Sequence, residues 1–499
     1  MRDVSRARLA FLLVLAAASF HLSVFLSVAL GRLRYPFEVE FLEGLTIDYA
    51  RTLLSGGNLY APPSLHFAPH WYPPLHYVVC LPALWLSGWE LSGARLVSIL
   101  SGLGAAALGV VAVRRLGASW TAGLASVAVV FAYYPASNYW YDLARVDSLQ
   151  TCFVMAGLVL LARDDVRPSR ASLVGGATLL VLAVFTKQTS VVVCAASLLF
   201  FVLARDGPRQ RTLLAALVTL GGLGAMTLLT AYGRDAFIIY WAPQRHFRNI
   251  PLGTLRFLRF AWTMLPLLGL AITGLRGSAQ TPRGRALRFF LLNFTFAAAM
   301  GWLTLCKHGG DTNSSTPAIF LLAVCVGLGL ESSLAAPAPS WRPVAISGAL
   351  ATFLVLAFAR DFLAQIPSSA ERREASAILG DMRAVRGPFL AYNASFVSTV
   401  MRDEMYPYRD RLYDWAGGEN QASHFRPDPA RYPAAFLGAI RERRFAAIYT
   451  DGSDQQGDYA YKFIVENYRP VRVWDKTLSP NGDTVGWRAC LPRVRWEPK

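Results

Sequence analysis

Charge is what this sequence has least of. Only 16% of its 499 residues are Asp, Glu, Lys or Arg, against roughly 25% in an ordinary soluble domain, and that shortfall excludes a soluble globular protein. Lysine is scarcer still: Lys187, Lys307, Lys462, Lys476 and Lys499 are the only ones, so arginine supplies nearly all of the positive charge. Of the six cysteines, five lie in or beside apolar runs and only Cys490 falls in a polar region, which excludes a disulfide framework or a cysteine zinc site. No internal repeat is visible. The net charge of +17 is spread as arginines through many short loops and is not gathered on one basic face, so nucleic acid is excluded as a partner.

Long apolar runs separated by short arginine-bearing loops fill the first three-quarters of the chain. A membrane crossing needs ~20 predominantly apolar residues. Runs at about 9–30, 95–113, 119–135, 148–163, 171–186, 189–204, 212–232, 257–275, 288–306, 318–333 and 343–364 predict about eleven crossings. The first run continues well past the ~7–15 apolar residues of a signal peptide and is expected to stay in the mature chain. Arg114-Arg115, Arg163 to Arg170, Arg205 to Arg211 and Arg276 to Arg288 fall in alternate loops together with the basic N-terminus. The positive-inside rule places that set, and the N-terminus, in the cytoplasm. The apolar stretch 75–87 is short for a crossing; as a juxtamembrane or re-entrant helix it leaves the charge pattern intact. Residues 31–94, 136–147, 233–256, 307–317 and everything after 366 then face the outside of a bacterial inner membrane.

Composition changes near Gln365. Residues 1–365 read as a transmembrane domain. Residues 366–499 are charged and aromatic, with strand-like runs at Phe389 to Tyr392 and Phe445 to Thr450 and helical patterns at Glu371 to Val385 and Tyr432 to Arg443. The pattern predicts a small α/β domain on the external side. The expected fold is therefore an α-helical polytopic membrane protein with a long first external loop carrying juxtamembrane helices and a small C-terminal α/β external domain.

That first loop is acidic, with Glu38, Glu40, Glu43 and Asp48 ahead of Ser55-Gly56-Gly57, and it ends in Trp71-Tyr72-Pro73-Pro74. Leu45, Tyr49, Leu53 and Leu54 recur at helical spacing and predict an amphipathic helix on the outer membrane surface. Carboxylates at the bilayer boundary are suited to general-base work, because partial desolvation raises their pKa toward working pH. Other ionisable residues stand at predicted external span ends: Asp142, Arg145 and Asp147; Lys187-Gln188; Arg245, His246 and Arg248; Lys307-His308 followed by Asp311 and Asn313. Charge so near hydrocarbon is costly and functional or paired as a rule, although a single arginine there can simply snorkel to the headgroups. In so lysine-poor a chain, Lys187 and Lys307 stand out as compact ammonium groups suited to phosphate oxygens. Cations converging on one external cavity suit a lipid phosphate or pyrophosphate.

The sequence resembles the C-type superfamily of integral-membrane glycosyltransferases, especially bacterial relatives of protein mannosyltransferases and aminoarabinose transferases that use polyprenyl-phosphate sugars. The likeness covers most of residues 1–365. It rests on the shared order of Glu43-Gly44 before Ser55-Gly56-Gly57, Tyr72-Pro73-Pro74-Leu75, Ala94-Arg95-Leu96-Val97-Ser98, Arg145-Val146-Asp147, and Lys307 through Asn313. The resemblance implies inverting transfer of a sugar from a polyprenyl-phosphate donor to a hydroxyl of a glycan, lipid or protein acceptor, on the external face, among membrane lipids. It implies a base in the first loop, where the family usually has an Asp-Glu pair. Leu42-Glu43 stands there instead, which leaves Glu43, then Glu40, then Asp48 as candidates. It further implies phosphate contacts from Arg145, Lys187, Lys307 and His308, with Asp147, Gln188, Tyr72 and Asn313 as other substrate-binding residues. No metal is required, although the carboxylates would permit one. Two other classes fit the same features less closely: a transporter or flippase of lipid-linked saccharides, and a non-catalytic envelope assembly protein.

Overall fold

The computed structural model describes residues 2–40, 42–61, 72–234, 250–275, 281–307, 310–335, 341–358, 361–391, 405–406, 434–450, 459–474 and 494–499. It opens with α1 (Arg2–Leu33), followed by α2 (Glu43–Leu54), α3 (Leu75–Leu86), α4 (Leu91–Arg115), α5 (Trp120–Ala136), α6 (Val146–Leu161) and the one-turn α7 (Arg163–Val166). Next come α8 (Arg170–Thr186), α9 (Val191–Leu203), α10 (Gly207–Tyr232), α11 (Ile250–Ala261), α12 (Leu265–Thr273), α13 (Pro282–Leu305), α14 (Thr316–Ala335) and α15 (Arg342–Phe358). Among the described residues, six helical segments are long and apolar enough to cross a membrane: Ser5–Leu33, Leu91–Arg115, Gly207–Tyr232, Ile250–Thr273, Pro282–Leu305 and Thr312–Ala335. A seventh would be the bent pair that begins at Arg342, and five shorter apolar helices, α3, α5, α6, α8 and the run Gln188–Leu203, accompany them.

Polar residues decide where these helices begin. Ser119, Ser169, Asp206 and Thr281 each accept a hydrogen bond from a first-turn N–H of α5, α8, α10 and α13, and Pro208 and Pro282 occupy first-turn positions where no N–H is needed. α14 is the most buried of the six long segments and packs against α5, α12, α13, α4 and α6. Glycine permits that closeness: a Cβ on Gly327 would lie 2.5 Å from the Ser126 hydroxyl and 2.7 Å from the Ala122 carbonyl, and one on Gly329 would lie 2.4 Å from the Leu270 carbonyl. Small residues bring membrane helices together in this way.

α2 is a helix, as its spacing predicts, but it begins at Glu43, so Glu40 precedes it. It does not lie free on a surface. Leu45, Ile47, Tyr49 and Ala50 are buried in one apolar cluster with Tyr60, Tyr77, Cys80, Leu84, Leu91 and Ala94, under α3 and the start of α4.

After α15, a turn at Leu363–Gln365 leads into α16 (Ser369–Ala384), which opens with a capping box between Ser368 and Glu371. Beyond it, a five-stranded mixed sheet runs in the order β2 (Met405–Tyr406), β1 (Phe389–Ala391), β3 (Ala447–Thr450), β5 (Val494–Pro498), β4 (Tyr468–Val473). β1 pairs in parallel with β2 and β3, and the β3–β5 and β5–β4 pairs are antiparallel. Side chains alternate across a strand, and here the two faces have different partners. Phe389, Ala447 and Tyr449 face α16 and the loops of the helical part. Leu390, Ile448 and Trp496 face α17 (Ala434–Arg441) and α18 (Tyr459–Asn467).

Filling the α14 crossing tests its packing. Gly327→Val is expected to destabilise the detergent-solubilised protein by about 1–3 kcal/mol, read as a lowered thermal midpoint, whereas Gly221→Ala, with nothing within 4 Å of its added carbon, should leave it in place.

Candidate functional site

Two polar clusters lie side by side at the ends of the helices, and they differ in how completely their hydrogen bonds are made. The first is centred on Arg95 in the first turn of α4, which is completely buried. A guanidinium has five N–H donors, and all five are used. Nε donates to Glu43 Oε1 (3.0 Å) and Nη2 to Oε2 (2.8 Å); Nη1 donates to the carbonyls of Arg32 (2.8 Å) and Tyr35 (2.7 Å), and Nη2 also to that of Phe37 (2.7 Å). Glu43 is equally occupied, because the backbone N–H groups of Val39 (2.6 Å) and Ala144 (2.8 Å) donate to its two oxygens besides Arg95. Each carboxylate oxygen therefore accepts two bonds, which fills its acceptor capacity. Burial alone would raise the Glu43 pKa, but the Arg95 charge and these bonds outweigh it and hold the carboxyl below its ordinary value.

The second cluster holds the remaining charges. Glu40, just before α2, stands with Oε2 3.2 Å from Arg145 Nη1, and both side chains are buried. Arg145 precedes the first turn of α6. Its Nε and Nη1 are buried and make no hydrogen bond among the described residues. Its guanidinium lies 5.8 Å from the centre of the Tyr72 ring and 5.4 Å from that of Trp140, and Lys187 Nζ lies 5.6 Å from the same Tyr72 ring. The ring of Tyr72 is thus shared by two cations. Lys187 is placed by a break in the helices: α8 stops at Thr186, Lys187 is extended, and a single 3-10 turn, Gln188–Ser190, restarts the chain into α9. Gln150 of α6 pins that turn by donating to Thr189 Oγ1 (3.1 Å) and Ser190 Oγ (2.8 Å). Lys187 Nζ donates to Asp147 Oδ1 at 2.6 Å, and Asn313 Nδ2 lies 3.2 Å from both Asp147 oxygens. Lys307, at the end of α13, completes the group. Burial and then the nearby Lys187 charge lower its pKa to about 8.

Glu40, Arg145, Tyr72, Lys187, Asp147, Asn313 and Lys307 are thus brought together, with Gln188 half-buried in the turn beside Lys187. Glu43 belongs to the closed first cluster. Asp48 is on α2 next to Arg51, away from both clusters among the described contacts; burial raises its pKa to about 7, partly offset by Arg51. His308 lies outside the described residues, as do Arg245, His246 and Arg248. Sequence reading missed the part played by Arg95, which was only one letter in the pattern that opens α4, and by Trp140 and His76. His76 is buried on α3, 3.7 Å from Cys80 Sγ, with Arg145 and Asp147 near enough to influence it. The available signal for Arg95 was a lone arginine in the first turn of a span, which must be paired if it is buried.

No family model and no curated protein matches the chain in sequence. Solved structures do match in fold. ArnT from Cupriavidus metallidurans bound to undecaprenyl phosphate superposes with a TM-score of 0.60 at 15% identity, covering 95% of this chain and 97% of that one. The chain shares the fold of ArnT. Its apo form gives the same TM-score over 96% and 98% of the two chains. The archaeal oligosaccharyltransferase AglB from Archaeoglobus fulgidus, in complex with an inhibitory peptide and a dolichol-phosphate, matches with a TM-score of 0.50 at 11% identity over 92% of this chain and 74% of that one. The fold is thus one shared with ArnT and, less closely, with AglB.

The closed cluster carries a stability prediction. Arg95→Leu leaves the Glu43 carboxylate buried without its counter-charge, a loss of about 3–5 kcal/mol, and is expected to abolish folded protein in size-exclusion chromatography of detergent extracts. Asp48 supplies a second. Its pKa is raised on folding, so its contribution is fully present below its unfolded value and disappears as pH rises through about 7; Asp48→Asn should therefore raise the thermal midpoint at pH 8 and leave it nearly unchanged at pH 4.

Proposed function

We propose that this protein is a membrane glycosyltransferase that takes a sugar from a polyprenyl-phosphate donor and transfers it, with inversion, to an acceptor hydroxyl on the external face of the membrane. The observation that carries the reading is one carboxylate, Glu40, facing Arg145, which shares the ring of Tyr72 with Lys187, itself near Lys307. That arrangement fits a reaction in which a hydroxyl must lose a proton on one side of an anomeric carbon while a phosphate gathers charge on the other. The fold shared with ArnT, bound there to undecaprenyl phosphate, supports the choice of donor.

In this reading Glu40 is the base. It accepts the proton as the acceptor oxygen bonds to the anomeric carbon, and the bond from that carbon to the phosphate oxygen breaks with its electron pair leaving on the phosphate. Arg145, Lys187 and Lys307, with His308 next to Lys307 in the sequence, bind the charge as it develops; preorganised cations act on the transition state in this way. Asp147 and Asn313 hold Lys187 in place, and Gln188 and Tyr72 line the substrate. Glu43 loses the base role, since its acceptor sites are filled and its pKa is lowered, and becomes the residue that shapes the loop. Asp48, next to Arg51 on α2, is not assigned to the reaction.

The topology of the proposal counts the shorter helices α5, α6, α8 and α9 and the helix α15 as crossings with the six long ones, giving eleven, with α3 outside the count. The N-terminus is then cytoplasmic, residues 1–365 form the membrane domain, and residues 366–499 form an α/β domain on the external side with the site between them.

Membranes reconstituted with polyprenyl-phosphate sugars test the assignment. Glu40→Gln is expected to lower transfer by roughly 10²–10⁴-fold while undecaprenyl phosphate still binds, so that lipid-linked sugar accumulates unused; undiminished transfer would remove Glu40 from the mechanism. Undecaprenyl phosphate binding should also depend on Lys307. Its cationic form predominates below about pH 8, so affinity is expected to hold below that pH and fall above it, and Lys307→Met should flatten the alkaline limb in a titration followed by native mass spectrometry.

A further inference from the structure

Both members of the Glu40–Arg145 pair are held from the same side, by an apolar seam that the C-terminal part of the chain completes. Tyr35, Phe37 and Val39 of the first loop and Trp140 and Leu143 of the α5–α6 loop are buried in one cluster with Ile378, Leu379 and Met382 of α16 and with Phe389 and Trp474. Glu40 follows Val39 directly in the chain, so the burial of Val39 in the seam fixes the backbone from which Glu40 projects. Trp140 makes the same connection for the other partner, with Arg145 at 5.4 Å from its ring centre. The start of the C-terminal part is itself fastened to the end of α1: Arg32 Nε donates to the Gln365 carbonyl (2.9 Å), Arg32 Nη2 to Gln365 Oε1 (2.6 Å), and Arg372 donates to the Gly31 carbonyl.

We propose that the C-terminal α/β layer is a positioning element of the site, and that Trp140 is the positioning residue through which it sets the Arg145 guanidinium. The inference rests on reading Arg145 as a phosphate-binding cation. The Arg145 guanidinium lies by Glu40, Tyr72 and Trp140, and of these Trp140 is the one packed against α16 and the sheet. Loosening the seam from its far side therefore reaches Arg145 without touching it. An aromatic face at position 140 is what the guanidinium needs, because the attraction comes from the ring quadrupole.

The experiment measures undecaprenyl phosphate binding to the full-length protein in lipid nanodiscs by native mass spectrometry. Trp140→Leu is expected to weaken binding roughly tenfold, the scale of one buried cation–aromatic contact, and Trp140→Phe to keep it within about threefold. Ile378→Ala, on the C-terminal side, should weaken binding by roughly three- to tenfold by the same route, with Ile378→Val as the milder variant if the first gives no folded protein. Leu354→Ala, equally buried but in the helical core, serves as the control for general loosening and should leave affinity unchanged. Wild-type affinity in folded Trp140→Leu and Ile378 variants would overturn the proposal, as would equal weakening by Trp140→Phe and Trp140→Leu or by Leu354→Ala. Arg145→Met and Lys187→Met separate the two readings. If neither weakens binding, the phosphate assignment itself fails; if both do and the seam variants do not, only the positioning role is lost.

Discussion

The loop between α1 and α2 has its shape because one buried charge pair is complete. Arg95 spends its five donors on Glu43 and three backbone carbonyls, and Glu43 receives two backbone N–H groups in return. A buried ion pair stabilises only when its remaining hydrogen-bonding capacity is also satisfied, and here it is satisfied by the loop's own backbone. The pair thereby ties down residues 32–40 and Glu43 and, through Ala144, the loop before α6. Those two segments deliver Glu40 and Arg145 to each other.

The neighbouring cluster differs in kind. Glu40 and Arg145 meet through charge, and two of the Arg145 nitrogens are buried without a hydrogen bond among the described residues. Lys187 is bonded to Asp147, yet it also lies by a ring shared with Arg145 and close enough to Lys307 to lower that residue's pKa. Unfinished polar networks are costly inside proteins, and they are kept where a ligand finishes them. The two clusters thus differ in how fully their hydrogen bonds are made, and that contrast is the physical basis on which the proposal divides structural from chemical roles among four acidic residues that look alike in the sequence.

Much of this was legible beforehand. Apolar runs and arginine loops showed a polytopic helical membrane protein, and the scarcity of lysine singled out Lys187 and Lys307 before any contact was known. The order among the carboxylates was not legible. Glu43 stands at the position where a base is expected, and what the sequence does not show is how fully its oxygens are occupied, by two backbone donors and by Arg95, which lies 52 residues away in sequence. Helical spacing at Leu45, Tyr49, Leu53 and Leu54 marked a helix but not its covering: α3 and α4 bury Leu45 and Tyr49, while Leu54 stays exposed. The α5–α6 loop gave no periodic signal at all, and Trp140 acquires its position only from side chains contributed by the last quarter of the chain.

The fastening of Arg32 to Gln365 joins positions 333 residues apart, and this separation has a consequence in time. At a synthesis rate of about 5–20 residues per second, the first loop leaves the ribosome roughly 20–70 s before its partner exists. During that interval Tyr35, Phe37 and Val39 have no seam to enter. The membrane helices are inserted while the cluster around Glu40 and Arg145 is still open on one side, and its surroundings are complete only as the final segment of the nascent chain docks.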